Sequence, residues 1–544
     1  MQNNIFKVPT PVNEPIYGYL KGSVEKLALK DALKTVEGEV IEIPCIIDGQ
    51  EIRTGNIFEV RMPHDHQHVL ARVHLAGKKE IELAIAASLR AKKEWEALAW
   101  SERVKIFLKA ADLLAGPWRA RVNAATMHGQ SKNAFQAEVD SACELIDFLR
   151  FNTHFYEKIM SDQPISSAGI HNSVDYRALE GFVFAVTPFN FTAIAGNLPS
   201  APAMLGNTVV WKPSETQSLS AYRTMQIFLA AGLPPGVINF VPANGATAGE
   251  VILNHPELAG VHFTGSTGTF NHIYKTIGSQ IEIYHTYPRV VGETGGKDFV
   301  FAHPSADLEV LRVALIRGAF EYQGQKCSAA SRAYIPASLW SKLQSPLVDE
   351  TASLKMGDVR DFRNLVNAVI DDRSFTKIKG YLDTAKADAK MKVLAGGETD
   401  KTKGYFVKPT ILLASDPKAR TMGEEIFGPV LTVHVYEDSK MMEMLKVCNE
   451  TSPYALTGAL IGQDVGALNA IANGTLRHAA GNLYLNDKPT GAVVGQQPFG
   501  GARKSGTNDK AGSFLNLVRW LSPRTIKENF VPPKSVRYAY MDEE

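Results

Sequence analysis

The chain has 544 residues, 45% hydrophobic and 21% charged, enough for more than one buried core, because single cores usually stop growing near about 250–300 residues. Its formal net charge is +1, with 58 Lys and Arg against 57 Asp and Glu and no basic cluster. That balance excludes the electrostatic footprint of a nucleic-acid binder or a polybasic membrane anchor and leaves a small molecule as the expected partner.

The first residues, Met1, Gln2, Asn3 and Asn4, open neither a secretory signal nor an Arg-rich transit peptide. No apolar run reaches the roughly 18–20 residues needed to cross a bilayer. The four cysteines, Cys45, Cys143, Cys327 and Cys448, form no CxxC pair and no Cys/His cluster with metal spacing. A soluble, reducing, cytoplasmic setting without structural metal is the expectation. Residues before about 44 and after about 522 read as irregular and Pro-punctuated.

Residues 80–114 and 134–151 carry apolar side chains at helical spacing, as helices covering a sheet would. From 181 to 297, short β-branched or aromatic runs alternate with helix-like stretches, the rhythm of βαβ units and a parallel sheet. The strands are expected at 181–187, 208–212, 237–241, 261–264 and 289–291, with helices at 220–231 and 247–253. The first of these helices ends at Gly232-Leu233-Pro234-Pro235. Beyond Gly296 a second α/β pattern is expected: a helix at 308–321, a loop at 324–328, and strands near 333–335, 430–436 and 481–485.

Two motifs carry chemistry. Gly324-Gln325-Lys326-Cys327-Ser328 places a thiol beside a lysine in a Gly-flanked loop, where a cation and backbone N–H groups favour thiolate. On its own, a lone cysteine is more often an inert buried side chain. Gly292-Glu293-Thr294-Gly295-Gly296-Lys297 sets a carboxylate at a strand end, suited to activating water, ahead of glycines that admit close backbone approach. Alone it also reads as a solvated turn. A phosphate loop is rejected, because the spacing to Gly296-Lys297 is one residue short and Asp298 replaces the hydroxyl.

Those two motifs, with Pro188-Phe189-Asn190, Trp211-Lys212-Pro213-Ser214-Glu215, Phe263-Thr264-Gly265-Ser266-Thr267 and Glu425-Ile426-Phe427-Gly428-Pro429, resemble the aldehyde dehydrogenase superfamily and fall in its order. The string from Asn486 to Arg503 and the run from Gln136 to Phe148 resemble its Δ1-pyrroline-5-carboxylate dehydrogenase branch.

The resemblance implies an α/β fold with a Rossmann-like NAD domain (1–164 and 182–291), an α/β catalytic domain (292–507) and small oligomerisation strands (165–181 and 517–544). It implies Cys327 as nucleophile, Asn190 with the Cys327 N–H as oxyanion hole, and Glu293 as base for water. Gly265, Ser266, Thr267, Gly268 and Thr269 would meet a pyrophosphate at a helix start, a place where a plain N-cap is also expected. Thr187 would lie along the dinucleotide, Lys212 and Glu215 would reach the adenine ribose, and Glu425 would hold the nicotinamide ribose. Glu215 would repel a 2′-phosphate, so NAD is expected over NADP.

Ser328, Gly491 and Ala492 would hold the carboxylate of glutamate γ-semialdehyde, between Phe191 and Phe499, which read equally as core. Some relatives carry Ser where this chain has Ala492, and many carry Gly where it has Phe270. The expected assembly is a homodimer or higher homo-oligomer, without a fused proline dehydrogenase domain. The alternatives are a dehydrogenase for another aldehyde such as succinic semialdehyde, a non-catalytic protein retaining the fold, or a cysteine hydrolase, for which no motif supplies the histidine.

Overall fold

The computed structural model of the chain describes residues 6–542. The N-terminal reading of Met1 to Asn4 lies outside the described residues. Two seven-stranded sheets organise the rest. From edge to edge the first contains Arg289–Glu293, Leu258–Thr264, Phe182–Val186, Val209–Lys212, Ile238–Phe240, Cys45–Ile47 and Gln50–Ile52. Its first five strands are parallel, and each falls within a few residues of the place expected from sequence.

Those strands read as continuous apolar runs because both faces are covered. Val183, Ala185, Val209 and Trp211 enter one core, while Phe182, Phe184 and Val210 enter another on the opposite face. Helices Ser218–Ala231 and Gly245–Ile252 supply crossovers, and the first stops where Gly232 adopts φ 101°, a left-handed turn that favours glycine. Strand order reverses between Phe182–Val186 and Leu258–Thr264. In an open parallel sheet the crevice for a ligand lies at the carboxyl ends of the strands flanking such a reversal.

The second sheet contains Met391–Ala395, Thr410–Ala414, Val430–Tyr436, Ala330–Pro336, Asp298–Ala302, Thr457–Ile461 and Asn482–Leu485. All are parallel except the antiparallel edge Met391–Ala395. Apart from the sheets, Ile170–Ala178 and Leu521–Asn529 pair as an antiparallel ribbon.

Two expectations need correction. The stretch before residue 44 is not irregular: Ser23 caps a helix, Val24–Gly38, and Ile41–Ile43 pairs with Asp65–His74. Only Leu29 and Leu33 of that helix are buried, too sparse a stripe to announce it. The stretch after 522 is likewise strand as far as Asn529, held by Ile170–Ala178. The region 134–151 is helical as expected, but Glu138–Cys143 forms a π-turn between Ala134–Ala137 and Glu144–Ser161. Such turns are rare and concentrate at functional sites.

Candidate active site

Cys327 reaches its position through a tight turn. The helix Leu308–Phe320, capped by the Asp307 carboxylate, runs into Tyr322, Gln323 and Gly324 at φ 49°, 56° and 64°. Tyr322 and Gln323 carry a steric cost there that the surroundings must hold in place. Gln323 Nε2 donates to the carbonyls of Ser131 (2.9 Å) and Ala368 (2.8 Å), and the Ile370 N–H donates to Gln325 Oε1 at 2.9 Å. Gly324 has no alternative, because a Cβ there would collide with the carbonyl of Gly428.

The thiol lies where two cavities meet. The larger, about 880 Å³, is lined by Thr187, Asn190, Lys212, Glu215, Gly265, Ser266, Gly268, Thr269, Cys327 and Glu425, among others. These residues sit just past strand ends of the first sheet or just before strands of the second. The smaller is lined by Phe191, Glu293, Cys327, Ser328, Gly491, Ala492 and Phe499, together with Asp140, Glu144, Lys326 and Lys510. Cys327 is the partly exposed thiol; Cys45, Cys143 and Cys448 are buried.

On the first side, Ser266 caps the helix Thr267–Ser279, its hydroxyl accepting from the Thr269 N–H at 3.2 Å. The first-turn N–H groups and the helix dipole therefore face a cavity of ligand size. Thr267 is the exception among the expected contacts: it does not line the cavity, and its hydroxyl donates to Tyr454 at 3.3 Å. Lys212 Nζ pairs with Glu215 at 3.1 Å, and Thr187 Oγ1 accepts from Trp211 Nε1 at 3.1 Å. Glu425 Oε1 accepts from the Gly296 N–H at 2.9 Å. The paired glycines make room for protein here: a Cβ on Gly295 would strike the Glu425 carboxylate, and one on Gly296 the Cys327 carbonyl.

Phe270 has a plain place in this packing. It is buried, stacks on Phe263 with ring centroids 5.5 Å apart, and lies against Gly292, where a Cβ would enter its ring. The aromatic at 270 and the glycine at 292 fit as a pair.

Around the sulfur, Asn190 is buried and its amide donates to the Gln325 carbonyl at 3.0 Å, which leaves one N–H for an oxygen bound at the thiol. The Gly501 N–H donates to Glu293 Oε2 at 3.0 Å. Burial holds the Glu293 carboxyl well above the usual carboxylate range, while the Gly501 N–H and the Lys510 ammonium pull it the other way.

One sequence reading fails. Lys326 puts its charge on Asp140, 3.3 Å from its Nζ, and is not among the main groups that shift the Cys327 thiol. Burial, then the carboxyls of Asp298, Glu293 and Glu425, push the Cys327 thiol well up, so it rests protonated. Adjacency in sequence was mistaken for proximity of the charged ends.

The sequence reading also missed a charged cluster beneath the smaller cavity. Lys132 Nζ contacts Asp140 at 2.6 Å and lies 4.2 Å from the Phe191 ring centroid. Burial would raise the Asp140 carboxyl, but Lys132 and Lys326 outweigh it and hold the group low. Glu144 faces the cavity with its carboxyl pushed up to about 8 by burial and then by Asp140. The signal was Asp140 and Glu144, acids one turn apart in a helical run that also carries Glu138 and Asp147.

The profile of the Aldehyde dehydrogenase family matches residues 50–525. The chain belongs to the aldehyde dehydrogenase family. Among its relatives, the mitochondrial Delta-1-pyrroline-5-carboxylate dehydrogenase of Dictyostelium discoideum is 52% identical over 537 residues, 98% of this chain and 96% of that protein. The human enzyme of the same name is 48% identical over 530 residues, covering 97% and 94%. Among solved structures, the Mycobacterium tuberculosis Delta-pyrroline-5-carboxylate dehydrogenase bound with NAD superposes with TM-score 0.96 at 52% identity, covering 99% of this chain and 100% of that one. The 1-pyrroline-5-carboxylate dehydrogenase from Thermus with bound NAD gives 0.90 at 31% identity, covering 96% and 100%. The aldehyde dehydrogenase fold expected from the motifs is therefore the fold of this chain.

Proposed function

We propose that this aldehyde dehydrogenase oxidises L-glutamate γ-semialdehyde, the open form of pyrroline-5-carboxylate, to L-glutamate with NAD as acceptor, in proline breakdown. The observation that carries the reading is Cys327 in the wall between a cofactor-sized cavity and a smaller one that holds Ser328, Gly491, Ala492 and Glu144. A semialdehyde bearing an amino-acid head needs donors for its carboxylate and an acceptor for its ammonium. Ser328 with the N–H groups of Gly491 and Ala492 supply the former, and the Glu144 carboxyl suits the latter.

The residues of the larger cavity fit a dinucleotide. Ser266, Gly268 and Thr269 would hold the pyrophosphate, Lys212 and Glu215 the adenine ribose, and Glu425 the nicotinamide ribose. The Glu215 carboxylate, next to Lys212, opposes a 2′-phosphate.

Because the resting thiol is neutral, its proton must leave before or as the sulfur attacks. Glu293, on the same cavity wall, is the base that accepts it. The aldehyde oxygen becomes an oxyanion held by the Asn190 amide and the Cys327 N–H. When bound, NAD supplies the acceptor of the two electrons that turn the thiohemiacetal into a thioester. Glu293 passes the thiol proton on to solvent and, ionised again, takes one from water; the hydroxide adds to the thioester carbon, and the Cys327 sulfur leaves and takes up the proton that Glu293 holds.

The proposal extends to organisation: 1–164 with 182–291 as the NAD-binding unit, 292–507 as the catalytic unit, and 165–181 with 517–544 as bridging elements. The ribbon of Ile170–Ala178 and Leu521–Asn529, with Ile526, Phe530 and Val531 exposed, supports a homodimer or larger homo-oligomer, which sedimentation would test. Among the described residues, no helix is long and apolar enough to cross a membrane. The four free cysteines suit a reducing compartment. We place the enzyme in the cytoplasm, and cell fractionation would separate this from the mitochondrion named for the Dictyostelium and human relatives.

The deciding assay is NADH formation with pyrroline-5-carboxylate against succinic semialdehyde and propanal. A kcat/KM at least about 100-fold higher on the first is expected from a site built to pair both charged groups. Equal values on all three would remove the substrate assignment.

A further inference from the structure

The N-terminal segment lies across the helix and loop that line the aldehyde cavity. Its contacts are specific. The Val8 N–H donates to Glu157 at 2.9 Å, and the Glu14 carboxylate pairs with Arg150 at 2.6 Å and with Arg119. The Tyr17 N–H donates to Glu138 at 2.9 Å, and Tyr19 donates its hydroxyl to the same carboxylate at 2.6 Å. Glu138 belongs to the π-turn whose other members point Asp140 toward the cavity.

One residue of this strap reaches the substrate loop itself. Asn13 Nδ2 donates to the Val494 carbonyl at 2.9 Å and to Asp147 at 2.8 Å, while its Oδ1 accepts from Gln496 Nε2 at 2.8 Å. Three of the four hydrogen bonds open to an asparagine amide are thus made, two of them to one loop. That loop is the one carrying Gly491 and Ala492, and Val494 also lines the cavity. The loop is also held by Gln496 and Gln497 N–H groups donating to the Val493 carbonyl, by the packing of Gly495 against the Phe151 ring and of Val494 against Gly512, and by the Phe499–Ala511 pairing at its end. Asp147 sits one turn from Glu144 on the same helix. Asn13 therefore ties together the two elements that must approach the substrate's charged end.

We infer that Asn13 is a positioning residue for recognition of the aldehyde's amino-acid head: it fixes the spacing between the Gly491–Ala492 N–H groups and Glu144. It touches neither the thiol nor the cofactor cavity. Its removal should therefore weaken semialdehyde binding while leaving the chemical machinery intact. The inference rests on the substrate reading given above.

The test is steady-state kinetics of Asn13→Ala and Gln496→Ala with pyrroline-5-carboxylate, with propanal, which has no charged head, and with varied NAD. Each variant should raise KM for the semialdehyde about tenfold, the scale of one or two lost hydrogen bonds. kcat, KM for NAD and kcat/KM for propanal should stay within about twofold. The double variant should lose less than the product of the single losses, since the two side chains share a bond. An unchanged KM for the semialdehyde overturns the inference, and so does an equal loss on propanal, which would mark general loosening. A wild-type enzyme showing no preference for the semialdehyde over propanal brings down the substrate reading itself, and this inference with it.

Discussion

The N–H of Gly501 and the carboxyl of Glu293 meet at 3.0 Å, so the proposed base rests on a backbone donor beside a neighbouring lysine. Lys510 donates to the carbonyls of Gly481 (2.8 Å) and Gly500 (3.0 Å) and to Asn482 Oδ1 (3.0 Å). It braces Gly500, which precedes that donor, and adds a positive charge near the carboxyl.

Glu293→Gln keeps the shape and the bond from Gly501 but removes the proton acceptor. Thiol deprotonation and hydrolysis both lose their base, so a burst of NADH near one equivalent per site should itself be slowed, and the turnover after it should be slower by about 100-fold or more. Intact mass during the slow phase should show an acyl adduct on Cys327. Wild-type turnover without an adduct would assign the water to another base.

Lys510→Met should change the pH profile in a definite direction. Burial already favours the neutral form of Glu293, and Lys510 opposes it. Without that charge the carboxyl's pKa rises further, and a general base must be ionised, so the acid limb of kcat should move to higher pH. A limb that stays put or moves down would show that Glu293 is insensitive to this ammonium.

Cys327→Ala should abolish oxidation while fluorescence titration shows NAD binding within about twofold of wild type. Ala at Cys45, Cys143 or Cys448, all buried and outside both cavities, should cost packing stability alone. Activity retained in Cys327→Ala would remove the covalent mechanism.

Gly292→Ala places a methyl into the Phe270 ring. Overpacking of this kind costs about 1–3 kcal/mol, so the melting temperature should fall, and Phe270→Leu in the same chain should restore part of it. Independent, additive losses would show that the two positions do not share space.

Glu215→Gln removes the carboxylate beside Lys212 and should narrow the NAD to NADP ratio of kcat/KM by about tenfold, the Coulomb scale for one unit charge at a half-exposed site. An unaltered ratio would place the 2′-position elsewhere.

What the sequence made legible follows from packing. The five strands between Phe182 and Glu293 are buried on both faces, and their apolar runs are bounded by glycine, proline or asparagine, so each announced itself. Val24–Gly38 did not, because only two of its side chains, Leu29 and Leu33, are buried, too few for a readable stripe. The hairpin of Ile57–Met62 and Asp65–His74 was missed as well: its first strand alternates from Phe58 to Met62, but the second opens on polar residues and buries the neighbours Leu70 and Ala71, so it does not alternate. Six motifs placed Cys327, Glu293 and Asn190 together. They could not show that Lys326 turns to Asp140, or that Asn13 joins the Val494 loop across 481 positions of chain. Long-range side-chain contacts of that kind leave no periodic trace.

The two cavities that share Cys327 give one sulfur atom two doors. On the proposed reading, the dinucleotide would come and go by one and the small acid by the other, so neither would have to queue behind its companion. The same layout sorts thiol poisons: a reagent shaped for the dinucleotide's door is shut out by the dinucleotide, whereas one that mimics the small acid meets the sulfur with the cofactor in place.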